Sequence, residues 1–173
     1  MKNLLNFLLA IFVFASCSSE QKLDRDQAFK ILQENKMFPK VIEEEIYIAD
    51  PEDAKKMLDL GLQNDGLVRV QQTQSANDVG KPLISFTEKA QPYLLPQTDE
   101  DKKNNVQRVR IREEVLEGVS GIQTIEEGKQ ALVQYETSFK NSTPFSKISK
   151  IHPSAKNTHE ANLLLYDDGW RME

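Results

Sequence analysis

The spacing of apolar residues changes several times along the chain, and each change predicts an element. Residues 4–15 are an almost unbroken apolar run, interrupted only by Asn6. From residue 25 to 36, Ala28, Ile31 and Leu32 return at helical intervals behind Asp24, with Gln27 three positions on in capping-box spacing. That predicts a helix, which Pro39 ends. Residues 41–48 are β-branched and aromatic around Glu43, Glu44 and Glu45, and read as a strand. Asp50-Pro51-Glu52-Asp53 is the strongest helix start in the chain, because it combines a capping carboxylate, proline at the first helical position and acids against the helix dipole. Ala54, Met57 and Leu58 give that helix its buried face, and Gly61 is placed for a left-handed C-terminal cap.

Beyond Gly61, residues 67–71 and 83–89 read as two strands around a polar turn at 75–81. Pro92 and Pro96 exclude a helix between them, and residues 97–105 are charge-rich and polar, which marks a boundary. Strand character then dominates: 106–115, 121–125, 130–139 and 160–166, with a short helix from Thr143 to Ile148 or Lys150. Alternation puts Ala131, Val133, Tyr135, Thr137 and Phe139 on one face of a strand, and Gln130, Gln134, Glu136 and Ser138 on the wet face with Leu132 among them. The expected class is α+β: a small helical N-terminal half with a β-wing (24–96), then an antiparallel β-meander (106–173).

The apolar run at 4–15 is too short to cross a bilayer, which takes about 20 apolar residues. Lys2 precedes it and Phe14-Ala15-Ser16-Cys17 follows it, with Cys17 the only cysteine. This arrangement resembles a bacterial lipoprotein signal, although Phe14 stands where most lipoboxes carry leucine. The resemblance implies that residues 1–16 are removed, that the Cys17 thiol takes a diacylglycerol, and that the new amine is acylated. Residues 17–23 then form a short polar tether between membrane and fold. Ser18 after the cysteine resembles signals sorted to the outer membrane. Two further likenesses are looser. The Leu60-Gly61-Leu62 helix end, the two strands after it and Thr87-Glu88-Lys89 resemble a winged-helix end, with Ala90 where that family has glycine. The whole order, closing on Leu163-Leu164-Leu165-Tyr166-Asp167-Asp168-Gly169-Trp170, is similar to uncharacterised envelope lipoproteins of Gram-negative bacteria. That likeness implies a compartment and brings no activity.

Composition narrows the classes of function. The formal net charge is -5 and loss of Lys2 makes it more negative, so electrostatic binding of nucleic acid or anionic lipid is not expected. With no cysteine after position 17, an intramolecular disulfide is excluded and packing alone holds the fold.

Three constellations carry candidate chemistry. Arg108, Arg110 and Arg112 alternate with Val109 and Ile111, so on a strand three guanidinium groups share a face that could grip an anion. Cross-strand acids such as Glu136 would instead make it an ordinary polar face. His152 and His159, with Glu160, Asp167 and Asp168, hold metal-ligand types but no metal-binding spacing. Trp170, after an Asp-Gly turn, could cover the end of a sheet or meet a partner. Glu43 to Glu45 alternate across a strand and so read as an acidic rim, not a cation site. No catalytic residue, metal or cofactor is assigned. The expected function is a non-catalytic, lipid-anchored envelope protein that binds another envelope component or protein partner. The alternative is a small hydrolase or ligand-binding enzyme built on the His152/His159 acidic cluster.

Overall fold

The computed structural model describes residues 22–150 and 156–173. The lipobox-like residues 14–17, Cys17 among them, therefore lie outside the described residues, as does His152. Within them, three α-helices and seven strands follow one another: α1 (Arg25–Asn35), β1 (Lys40–Tyr47), α2 (Pro51–Asp59), β2 (Val68–Val70), β3 (Ile84–Phe86), α3 (Asp99–Lys103), β4 (Val106–Ile125), β5 (Gln130–Lys140), β6 (Asn157–Tyr166) and β7 (Gly169–Met172). The class is α+β. Five strands form one antiparallel sheet in the order β1-β4-β5-β6-β7, so β4 to β7 are a meander with β1 added at its edge, while β2 and β3 pair as a separate ribbon. Among the described residues no helix is long and apolar enough to cross a membrane.

The helix signals act through the contacts that the sequence suggests. Asp24 accepts the Gln27 amide at 2.7 Å, and Ala28 and Leu32 bury the inner face of α1. Asp50 accepts the Glu52 amide at 2.6 Å ahead of Pro51. At the other end of α2, Gly61 sits at φ 72°, its amide bonds to Leu58, and the Leu62 amide bonds to Met57. This paired closure needs a left-handed residue, which glycine supplies without steric cost. It also carries Leu62, fully buried, onto Met57 in the same core.

Alternation along the strands splits the apolar residues between the two faces of the sheet. Val109 and Ile111 of β4 and Ile46 of β1 join Ala54, Met57, Leu62, the ribbon and Phe145 in one core. Leu116, Val119 and Ile122, further along β4, face the other way with Ala131, Val133, Tyr135, Leu163 and Trp170, under Leu23, Ala28 and Leu32 of α1. One long strand thus serves both cores.

Several expected boundaries move. The polar stretch 97–105 holds α3, closed by a reciprocal capping box between Thr98 and Asp101. The sheet straddles it, because β1 pairs along its whole length with β4, from Lys40 opposite Glu114 to Tyr47 opposite Val106. The strands expected at 106–115 and 121–125 are one strand of 20 residues. Its pairing with β5 shifts between Leu116 and Gly118 and again between Val119 and Gly121, so the glycines mark bulges where a break was expected. The ribbon strands are shorter than 67–71 and 83–89, because Glu88–Tyr93 turns away as a 3-10 helix with Pro92 inside it. Thr87 fixes that corner, its hydroxyl donating to the Gly66 carbonyl at 2.7 Å. The short helix expected from Thr143 is a 3-10 turn, Pro144–Ile148. β7 goes beyond the strands read from sequence, as the Asp167-Asp168-Gly169 turn returns the chain onto β6.

Candidate functional site

The arginine row lies on β4 opposite β1, and register decides its neighbours. Arg108 stands across from Glu45 and Arg110 from Glu43. The Arg108 guanidinium donates to Asp101 at 2.6 Å and to Glu43 at 3.3 Å, while Arg110 lies 3.7 Å from Glu113. Asp101 is only 9% exposed. The hydrogen bond from Arg108, helped by the Thr98 amide and hydroxyl, holds its carboxyl at about 2, and the same pairing raises Arg108. Arg112 is 1% exposed, with its guanidinium 5.1 Å from the Phe139 ring centre. Glu136, proposed from sequence as a neutralising acid, is opposite Gly118 and takes no part. Glu43 and Asp101 do that work, the latter from the helix absent from the sequence reading. Three free guanidinium groups in a row are therefore not what the fold presents: Arg108 is committed within the protein and Arg112 is buried.

A polar cleft of about 460 Å³ opens beside this pair, lined by Glu45, Tyr47, Thr98, Glu100, Asp101 and Arg108. Tyr47 is half exposed and its hydroxyl donates to Glu45 at 3.2 Å, which raises its pKa because ionisation would set two anions together. Two carboxylates here serve the fold: Asp101 caps α3 and binds Arg108, and Asp53, close to the cleft, accepts the Tyr47 amide at 2.7 Å.

Among the described residues the histidine and acid cluster is not assembled. On β6, His159 and Glu160 point to opposite faces, and Glu160 accepts from Gln134 at 3.1 Å on the open side. Asp168 lies in the β6-β7 turn and pairs with Arg171. Among the described residues no group of three His, Cys, Asp or Glu side chains is placed to hold a metal.

His159 has different partners, which the sequence reading missed. Its ring stacks on Tyr135 at 5.1 Å, its Nε2 lies 2.9 Å from the Thr137 hydroxyl, and that hydroxyl donates to Glu114 at 2.7 Å. Glu114 Oε1 is 3.5 Å from the same nitrogen. With the Thr137 proton given to Glu114, His159 Nε2–H is the donor to Thr137, and one set of proton positions satisfies all three groups. Burial and the Glu114 carboxylate together raise the Tyr135 phenol. The order of groups resembles a nucleophile with base and acid, but Thr137 is fully buried and its proton points away from histidine. The cluster links three strands and pins their register.

Trp170, 6% exposed, lies in the core beneath α1. A buried indole cannot be presented to a partner, so the contact surface suggested for it from sequence is corrected to a packing role. Compared with protein-family models, with curated proteins and with solved structures, the chain finds no match.

Proposed function

We propose that this is a lipid-anchored envelope protein whose folded body is a non-catalytic binding or adaptor domain. What supports the anchor, beside the lipobox-like Phe14-Ala15-Ser16-Cys17, is how soon the fold begins: Leu23 is buried in a core and Asp24 already caps α1. Acylation of Cys17 would hold the body close to the bilayer, and two or three chains at about 0.8 kcal/mol per buried methylene are needed for lasting attachment. Outer-membrane sorting through Ser18 and an envelope protein as partner belong to the same proposal. The commitment of Arg108 to Asp101 and of Thr137 to Glu114 supports a domain whose polar groups serve structure.

The α2-β2-β3 corner keeps the helix-then-ribbon order of a winged helix, and a winged-helix-like shape remains our reading of it. Nucleic-acid contact is not part of the proposal, because Lys55 of α2 pairs with Asp59 and Lys56 lies on a helix that also carries Glu52 and Asp53. The alternative enzyme reading needs His152 and His159 to act together.

The deciding experiment is mass spectrometry of the mature N-terminus from membrane fractions, with Cys17→Ser beside it and crosslinking capture from the same membranes. An acylated Cys17 that is lost in the variant, with a reproducible partner, supports the proposal. An unmodified N-terminus in the soluble fraction overturns the anchor.

A further inference from the structure

β1 is an outer strand of the sheet, eight residues long, and its backbone groups alternate between the β4 side and the outer side. The Ile48 amide bonds across to Asn105, so by alternation Ile46 and Glu44 also turn toward β4, while Tyr47, Glu45 and Glu43 turn out. At Tyr47 the outward amide is taken by Asp53 at 2.7 Å and the carbonyl by the Asp50 amide at 3.0 Å. One residue further on the ribbon closes the edge, where the Leu83 and Ile84 amides both bond to the Ile48 carbonyl. Before Tyr47 no strand of the described residues continues the sheet beyond β1, and Val41, Glu43 and Glu45 are exposed. Outward amides and carbonyls in such a row are a template for one more strand.

Charge sets what this edge accepts. Glu43, Glu44 and Glu45 are consecutive on it, and the one cation of β1 is Lys40, at its far end over the Phe38 ring. A second copy laid antiparallel over these residues would set glutamates against glutamates, which is destabilising. The three acids thus guard the edge against self-pairing, and the same field favours a strand with lysine or arginine opposite Glu43 and Glu45. Residues directly opposite one another share a face, so those basic side chains fall on the side of Arg108 and the polar cleft. Among the described residues lining that cleft the cation is Arg108, already bonded to Asp101 and Glu43, whereas Glu45, Glu100 and Tyr47 are exposed. Arg110, further along β4, is offset by Glu113 at 3.7 Å. A cationic side chain reaching into the cleft meets two carboxylates and an aromatic ring.

We propose that β1 takes up an extended basic segment of a partner protein as an added antiparallel strand along residues 41–45, with one lysine or arginine seated in the cleft of Glu45, Tyr47 and Glu100. The proposal rests on the reading of the body as a binding domain and gives that reading a site; it does not depend on a lipid at Cys17. Main-chain bonds to Glu43 and Glu45 supply attachment that any extended sequence can make, and the cleft supplies the choice of basic over acidic or apolar side chains.

The probe is a fluorescein-labelled peptide of alternating lysine and valine, blocked at both ends, titrated with the protein purified with its native N-terminus. One control peptide carries glutamate in place of lysine. A second keeps the lysines but N-methylates their amides, which preserves charge and removes the ladder donors. Anisotropy should show saturable binding of the lysine peptide and about tenfold weaker binding of either control. Glu45→Gln, which keeps an acceptor for the Tyr47 hydroxyl, should weaken binding several-fold with melting unchanged. Residue-resolved hydrogen exchange should show the Glu43 and Glu45 amides slowed by the lysine peptide and Glu44, already in the ladder, unaffected. Equal binding of the N-methylated peptide, or binding that leaves Glu43 and Glu45 exchanging as before, means attraction by charge alone and overturns the proposal, as does no binding at millimolar peptide. Slowing of the same amides as protein concentration rises without peptide assigns the edge to a second copy and also overturns it. The underlying reading fails separately: an envelope partner captured through another surface, with these amides still free, refutes the edge and leaves the binding domain standing, whereas failure to recover any partner from the membranes refutes both.

Discussion

Asp101 shows how a residue's meaning depends on its neighbours in space. In sequence it is one acid in a charged stretch; in the fold it caps α3 and meets Arg108, which lowers its carboxyl to about 2 from an ordinary 3.8. A depressed carboxyl stabilises the folded state wherever it is ionised in both states, and loses that contribution as pH falls through the folded value. Melting curves of wild type and Asp101→Asn should therefore differ by a constant amount above about pH 4 and converge between about pH 4 and pH 2. Thr137 makes a second prediction at this scale. Thr137→Val keeps the shape but leaves Glu114 and His159 short of a partner, at a cost of about 1–3 kcal/mol in urea unfolding. Trp170→Ala should lose about 3–5 kcal/mol in the same measurement, the figure for emptying a large buried side chain. Unchanged melting in that variant would contradict the packing role. None of these partnerships was legible beforehand: the residue types were visible, but which acid faces Arg108 is set by the register of β1 on β4, and α3 brings Asp101 from outside the sheet.

At the scale of elements, legibility followed the range of the forces involved. Asp24, Asp50, Pro51 and Gly61 act within one turn of chain, and each does what its position implies. Gly61→Ala should accordingly cost about 1 kcal/mol, because no other residue adopts φ 72° as freely, and chemical denaturation would detect it. Strand identity was similarly clear in β5, where alternation holds apart from Leu132. β4 differed because its glycines looked like breaks. Held by β1 on one side and β5 on the other, the chain absorbs Gly118 and Gly121 as bulges and continues as a single strand. α3 escaped notice for the opposite reason. Five charged residues have no apolar period, and the helix exists because its capping box and its bond to Arg108 hold it against β4.

For the whole molecule, one sheet with a core on each face explains why a division at residues 97–105 does not appear as a gap. β1 precedes the polar stretch and β4 follows it, yet they form one ladder, so the two halves should unfold together. Hydrogen exchange would test this: amides of Ile46 and Val109 should share the protection of Val133, and markedly faster exchange on the β1 side would show independent units. The same sheet gives the molecule two unlike ends.

The sequence by itself determined what local chemistry determines: the caps and stops of α1 and α2, the alternation of β5, the α+β class and the lipobox-like run before the fold. It also showed the odd Leu132 on a wet face. Tertiary structure alone decided which acids neutralise the arginine row, that Thr137 links His159 to Glu114, and that Trp170 is interior. The reason is common to all three. Period and capping are properties of a few consecutive residues, whereas strand order and register bring together residues far apart in sequence whose identities impose no rule on one another until the sheet is built.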